Sequence, residues 1–214
     1  MSAMWSERHR PKVLFECVLE HLDDDSRNLL RQTVTAAQLP NMLLYGPAGT
    51  GKTTIARILC NEDRFTVNRF NGSLFEKRDV ENLQKLISSR SLFHQHRCIL
   101  IDEIDGATRN AQNALRALIE EGGGASWICT ANDIRKIASP LLSRMIQIDC
   151  SYAILPQRQA HLSGITRRCR EILRTEEIHE VTEGELRHIV ELYYPDLRRT
   201  INALQLRTTN RMAS

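Results

Sequence analysis

The chain reads as an α/β protein with a five-stranded parallel sheet flanked by helices, followed by a small all-helical region. Three observations predict this. Five short apolar runs recur at Met42–Tyr45, Thr66–Phe70, Cys98–Asp102, Ser126–Thr130 and Met145–Asp149. Helix-like segments near 25–37, 52–60, 79–90 and 108–121 separate them, and strands alternating with helices pair in parallel through crossovers. After Cys150 the strand signal stops, and Leu162, Ile165, Cys169, Ile172 and Leu173 recur at helical spacing.

Each element has a local reason. The run Cys98–Ile101 is apolar without alternation, as expected of a strand covered on both faces. Gly122, Gly123 and Gly124 end the 108–121 helix in a loop. Pro156 suits the first turn of a helix, and further helices are expected at 183–194 and 196–208. The boundary falls near Ser151. It divides a sheet domain at 1–150 from a helical domain at 151–214 of about sixty residues, within the ordinary range for one domain.

Composition narrows the class. At 214 residues, 42% hydrophobic and 26% charged, the chain matches a globular protein. No apolar run is long enough to cross a bilayer, and Met1–Pro11 is basic without the apolar stretch of a secretory signal. A cytoplasmic location is expected: host cytoplasm for a viral protein, or the nucleus for a eukaryotic one. The six cysteines are widely spaced with no Cys-x-x-Cys pair, which favours reduced, buried thiols over a disulfide or zinc framework. Net charge is only +3 and neither half is strongly basic, so any nucleic-acid site must be a local stripe.

The most specific signal is Gly46, Pro47, Ala48, Gly49, Thr50, Gly51, Lys52, Thr53, a phosphate-loop pattern between an apolar strand and a helix that Thr54 continues. Glycines let the backbone wrap a phosphate and aim N–H groups at it, and the helix N-terminus adds positive potential. Lys52 would reach the β- and γ-phosphates of ATP, and the Thr53 hydroxyl would hold Mg²⁺. The strand at Cys98–Asp102 ends in two carboxylates. Asp102 would complete the magnesium shell and Glu103 would polarise an attacking water. Taken alone, these are equally well read as acidic residues at a solvated strand end; the upstream loop decides for the catalytic reading. Asn132 ends the next strand, which would lie between the first and third. There it would contact the γ-phosphate or the water, although Asn-Asp is also good turn chemistry.

Further motifs carry a family resemblance. WSERHRP at residues 5–11 resembles the W-x-E-K-Y-R-P opening of clamp-loader ATPases, the replication factor C small subunits and the phage loader ATPase. Asn71–Ser73, the carboxylate box at Asp102–Asp105, TRNAQNALRALIE at 108–120, Ser143-Arg144-Met145 and PDLRRTIN at 195–202 resemble family segments in the same order. The resemblance spans Trp5 to about Leu206 and implies an AAA+ fold with a helical lid. In the family the nucleotide sits between the two domains, so Arg10, Pro11 and Val18 would line the adenine. Arg198 would be the second sensor, and Arg144 an arginine finger acting on a neighbouring subunit's ATP. Gln112 and Arg116, four apart on the central helix, would couple the DNA-facing surface to the catalytic centre. Lys77, Arg78 and Arg109 would meet DNA phosphates, a role that solvated surface cations imitate. The implied activity is DNA-dependent ATP hydrolysis in a loader that places a ring clamp on primer–template DNA. The implied partners are other loader subunits in a pentamer-like ring, the clamp and the DNA.

The sequence departs from the family at several points. Ala48 stands for a usual proline and Met145 for a usual cysteine, and Glu76 opposes the sign of the family's basic cluster. The chain stops at Ser214, just past the lid, where relatives continue into a collar domain; the expectation is a collar supplied elsewhere or an assembly held by motor contacts. Two rival readings stay open. One is another AAA+ DNA machine, such as a helicase loader or recombination ATPase. The other is a non-catalytic nucleotide-binding scaffold. The clamp-contact surface is not legible; Phe93 is its one apolar candidate, with burial the competing reading.

Overall fold

The computed structural model describes residues 4–88, 96–121, 124–151 and 157–212. Phe93, Gly122, Gly123 and Pro156 lie outside the described residues. Five strands, β1 (Met42–Tyr45), β2 (Thr66–Asn71), β3 (Arg97–Asp102), β4 (Ala125–Ala131) and β5 (Ile146–Asp149), form one sheet in the order β2-β3-β4-β1-β5. Every neighbouring pair is parallel. The fourth strand therefore lies between the first and third, as the placement of Asn132 required. Pairing aligns the strand ends: Tyr45 faces Ala131 on one side and Asp149 on the other, while Asn71 faces Asp102. Ligands of open parallel sheets bind beyond such carboxyl ends.

The helices of the first part are α1 (Trp5–Arg8), α2 (Asp24–Thr35), α3 (Lys52–Leu59), α4 (Lys77–Ser88), α5 (Arg109–Glu120) and α6 (Ser139–Leu142). They cover both faces of the sheet. One buried cluster joins Ile99, Ile101, Trp127 and Cys129 to Leu83, Leu115 and Leu118; the other joins Leu44, Leu100 and Ile128 to Leu30, Ile55 and Leu59. Covering on both faces is why β3 is buried along Arg97–Ile101. Caps set the helix starts. Asp23 accepts from the Ser26 N–H to open α2, and Thr108 accepts from the Ala111 N–H to open α5.

The C-terminal region consists of α7 (Gln157–Thr175), α8 (Glu183–Tyr193) and α9 (Leu197–Met212). Thr182 and Glu185 form a reciprocal capping box at the start of α8. A third cluster joins Ile165, Cys169, Ile172, Ile189, Val190 and Leu204, and it also takes in Trp5 and Val18. The N-terminal segment is thus packed and bonded to the helices. The Trp5 N–H donates to Gln205 Oε1 at 2.8 Å, and Arg168 Nη2 donates to His9 O at 2.8 Å. The short α1 carries too few residues to show a period, so the sequence gives no sign of it. Among the described residues, no helix is long and apolar enough to cross a membrane. All six cysteines are free thiols and only Cys17 is less than buried.

Where the helical region meets the sheet region, His21 stacks on His161 with ring centroids 4.6 Å apart. His161 Nδ1 lies 3.3 Å from the Tyr194 hydroxyl, whereas neither ring nitrogen of the buried His21 has a hydrogen-bond partner. Burial, then the nearby His161 and Lys52, pushes His21 down to about 3; burial holds His161 near about 4.

Two outcomes are expected. Trp5→Ala should cost about 3–5 kcal/mol in denaturant unfolding, the usual range for truncating a buried tryptophan. The two histidines bind protons less readily folded than unfolded. Their contribution to stability is complete above the ordinary value of 6.5 and declines as pH falls toward the folded values. Unfolding free energy should therefore drop on acidification below pH 6.5, by up to about 1.4 kcal/mol per pH unit for each ring. His21→Phe should flatten that slope, and an unchanged slope would refute the assignment.

Candidate active site

The loop after β1 is shaped by glycine. Gly46, Gly49 and Gly51 take φ of 139°, 80° and 90°. These values lie in the left-handed half of conformational space that side chains disfavour. A side chain at Gly46 would also come within 2.7 Å of the Cys150 backbone. Gly51 is the N-cap of α3 and offers no side-chain cap, so the first N–H groups of that helix are left for a ligand. Lys52 is buried and turned back into the loop, with Nζ donating to Gly46 O and Pro47 O at 2.7 Å each. Burial pulls its proton affinity down, opposed in part by the charges of Asp105 and Asp102. An ammonium held by two neutral carbonyls in a loop lined with N–H donors is well matched to a phosphate anion.

The parallel register brings Asp102 beside this loop. The Thr53 hydroxyl donates to Asp102 Oδ1 at 2.8 Å. The same oxygen accepts from the Thr130 hydroxyl of β4, and Thr130 Oγ1 in turn accepts from the Glu103 N–H at 3.0 Å. Thr130 therefore ties β4 to the end of β3 and holds the turn in which Glu103 sits. Glu103 has φ 57° and ψ 47°, a left-handed conformation costly for a residue with a side chain. That turn aims it out of the strand line, where the Ser73 hydroxyl lies 3.4 Å from Oε2. Gly72 makes room, since a side chain there would come 2.3 Å from Glu103 O. Asp105 accepts from the Asn132 N–H at 3.1 Å and the Asp133 N–H at 3.2 Å, fixing the turn after β4.

One cleft gathers Ala48, Gly49, Gly51, Lys52, Thr53, Thr54, Glu103, Thr130, Asn132 and Arg198. It continues into a second hollow lined by His9, Arg10, Pro11, Arg168, Leu197 and Ile201. Arg198, in the first turn of α9, borders both. Val18 does not line either hollow; it is packed behind, among the helices of the C-terminal region. Thr50 is buried and its hydroxyl donates to Pro47 O. In the sequence Thr130 stands only as part of its strand end, and Asp105 only as the last member of the carboxylate box, with no role of its own. A hydroxyl residue near the end of an otherwise apolar buried strand was the available signal for Thr130.

The remaining predicted residues lie apart from the cleft. Gln112 is buried; its Nε2 donates to Ala107 O and Lys136 O, and its Oε1 accepts from the Ala138 N–H at 2.7 Å. It thereby ties α5 to the segment running from Asn132 toward α6. Arg116 is half-exposed and pairs with Glu120 at 3.3 Å. Arg144 does not border its own chain's cleft. Lys77 opens α4, Arg78 follows it, and Arg109 opens α5; the last two are exposed.

The helical region touches the loop directly: the Leu197 N–H donates to Gly49 O at 3.2 Å, and Asp196 caps α9 through the Arg199 N–H at 2.9 Å. A side chain at Gly49 would lie 2.0 Å from Asp196 Oδ1, while one at Gly51 would meet nothing. Gly51→Ala should therefore lose only the backbone term of about 1–2 kcal/mol. Gly49→Ala should lose measurably more in the same unfolding experiment, and equal losses would contradict the contact.

Known proteins share this architecture. Residues 42–152 match the model of the ATPase family associated with various cellular activities (AAA). The chain is 31% identical over 215 residues to replication factor C small subunit 2 of Pyrobaculum aerophilum, covering 96% of this chain and 64% of that protein. It is 31% identical over 202 residues to the sliding-clamp-loader large subunit of Escherichia phage RB69, covering 92% and 62%. The chain thus spans less than two thirds of the length of these relatives. Among solved structures, the Thermotoga maritima RuvB Holliday junction branch migration motor superposes with a TM-score of 0.71 at 19% identity, covering 94% of this chain and 65% of that one, a likeness of fold. With a family match over more than half its length and the strand order and loop described above, the chain belongs to the AAA family of ATPases.

Proposed function

We propose that this chain is the ATP-hydrolysing unit of a sliding-clamp loader, working in an oligomer that opens a ring clamp and places it on primer–template DNA. The observation that carries the reading is the split between the two halves of the chemistry. The cleft is lined by Lys52, Thr53, Glu103 and Asn132, with Asp102 bonded to Thr53 beside it, while Arg144 projects elsewhere on the same chain. A second copy, or a related subunit, is then needed to complete the site. Similarity over most of the chain to replication factor C and phage loader subunits supports this assembly.

In this mechanism the loop N–H groups and Lys52 cradle the phosphates, with Lys52 exchanging its two carbonyl contacts for phosphate oxygens. Thr53 and Asp102, a hydroxyl and a carboxylate already 2.8 Å apart, fit the oxygen-ligand preference of Mg²⁺. When bound, that ion supplies charge neutralisation for the β- and γ-phosphates. Glu103 orients a water whose oxygen bonds to the γ-phosphorus as the bond to the β-bridging oxygen breaks, giving ADP and inorganic phosphate; the water's proton leaves by way of Glu103. Asn132 contacts the γ-phosphate or the water. Arg198 reads the nucleotide from the helical side, and Arg10 and Pro11 flank the base. Residues 1–150 and 151–214 act as the two bodies between which the nucleotide is gripped. Gln112, by bonding α5 to the 136–138 segment, couples that helix to the site, with Arg116 on the same helix. Lys77, Arg78 and Arg109, near the starts of α4 and α5, position DNA phosphates without reading sequence.

The test is steady-state ATP turnover with and without primed DNA and a ring clamp. Stimulation by both together is expected; indifference to the clamp would favour another DNA motor. Arg144→Ala should cut stimulated turnover by roughly 10³-fold or more while nucleotide binding stays near normal. Glu103→Gln should likewise arrest turnover. Unchanged turnover in Glu103→Gln would instead favour a scaffold role.

A further inference from the structure

Arg144 is not a free surface arginine. Its Nη1 donates to Pro140 O at 2.9 Å and to Ser143 Oγ at 2.6 Å, both in or just after α6. Its Nη2 donates to Glu120 Oε1, on the last turn of α5. The other oxygen of the same carboxylate takes Arg116 Nη2 at 3.3 Å. Both Arg144 and Glu120 are about one third exposed, at 32% and 36%, so the pair sits at the surface within reach of a docking subunit. The acidic partner is the informative feature. Packing alone would be satisfied by the α6 carbonyl and hydroxyl, and a cation meant to meet phosphate gains nothing electrostatically from a neighbouring carboxylate. What the carboxylate supplies is direction. An arginine has four rotatable bonds, and Glu120 fixes the far end of that lever from a second, rigid helix.

We propose that Glu120 is the positioning residue for Arg144, setting the guanidinium in the orientation it presents to the neighbouring subunit's nucleotide. The inference rests on Arg144 acting in trans. α5 then grips the segment leading to Arg144 at two points: near its start through Gln112, which bonds Lys136 O and the Ala138 N–H, and at its end through Glu120. Eight residues of helix, about 12 Å, separate the grips. A shift of α5 therefore moves the Asn132–Ala138 turn of one active centre and the arginine offered to the next together.

The experiment is subunit mixing, read as clamp- and DNA-stimulated ATP turnover per active centre. Glu120→Gln keeps the shape and an acceptor but removes the charge that orients the guanidinium. It should lower kcat roughly ten- to a hundredfold, the scale of a misplaced catalytic group, with ATP affinity and unfolding midpoint close to wild type. Mixing with an excess of Glu103→Gln subunits, which cannot hydrolyse but carry an intact Glu120–Arg144 pair, should restore the rate at the Glu120→Gln centres. Arg144→Ala subunits should be restored in the same way. Full turnover by Glu120→Gln alone would overturn the inference. So would a defect that Glu103→Gln subunits fail to restore while they do restore Arg144→Ala. If Arg144→Ala is not restored either, the trans action itself is wrong and the inference goes with it.

Discussion

The structure hangs on one carboxylate. Asp102 Oδ1 accepts from Thr53 at the first turn of α3 and from Thr130 near the end of β4. Three elements that are far apart in the chain, the phosphate-loop helix, β3 and β4, meet at one oxygen. This is possible only because β4 is inserted between β1 and β3 and all three run parallel with their carboxyl ends level. Were the third strand paired directly to the first, Thr130 would have no place beside Asp102, and Glu103 would lose the hydroxyl that accepts from its N–H.

The helical region and the N-terminal segment close the cleft together. Trp5 and Val18 are buried among α7–α9, and Arg168 bonds back to His9 O, so the strap that carries Arg10 and Pro11 is tied to the helices. Leu197 bonds to Gly49 O, which brings Arg198 against the phosphate loop. A ligand in this cleft touches residues from both ends of the chain. Any rotation of α7–α9 would carry the Arg10–Pro11 strap and Arg198 together, relative to Lys52 and Glu103.

A second line of connections runs along α5. Gln112 is buried and spends its amide on three backbone groups, a heavy commitment of hydrogen bonds for one side chain. Glu120 closes the other end on Arg144. Between them Leu115 and Leu118 anchor the helix in the sheet core. Exposed Arg109 stands at the start of the same helix.

The parallel sheet, the phosphate loop and the helical tail were legible from residues alone, because each has a short-range signature. Apolar runs of strand length, glycines at fixed spacing before Lys52, and helical repeats after Cys150 are all written within a few residues of one another. The strand limits were read to within a residue for the same reason. Tertiary structure decided what no local pattern encodes. It placed Thr130 on Asp102 across 28 positions and Glu120 on Arg144 across 24, and it buried Trp5 against Gln205 across 200. It also put Val18 behind the cleft rather than along it. A hydrogen bond's partner depends on the register of a completed sheet and the docking of finished helices, and that information exists only once the chain has closed on itself.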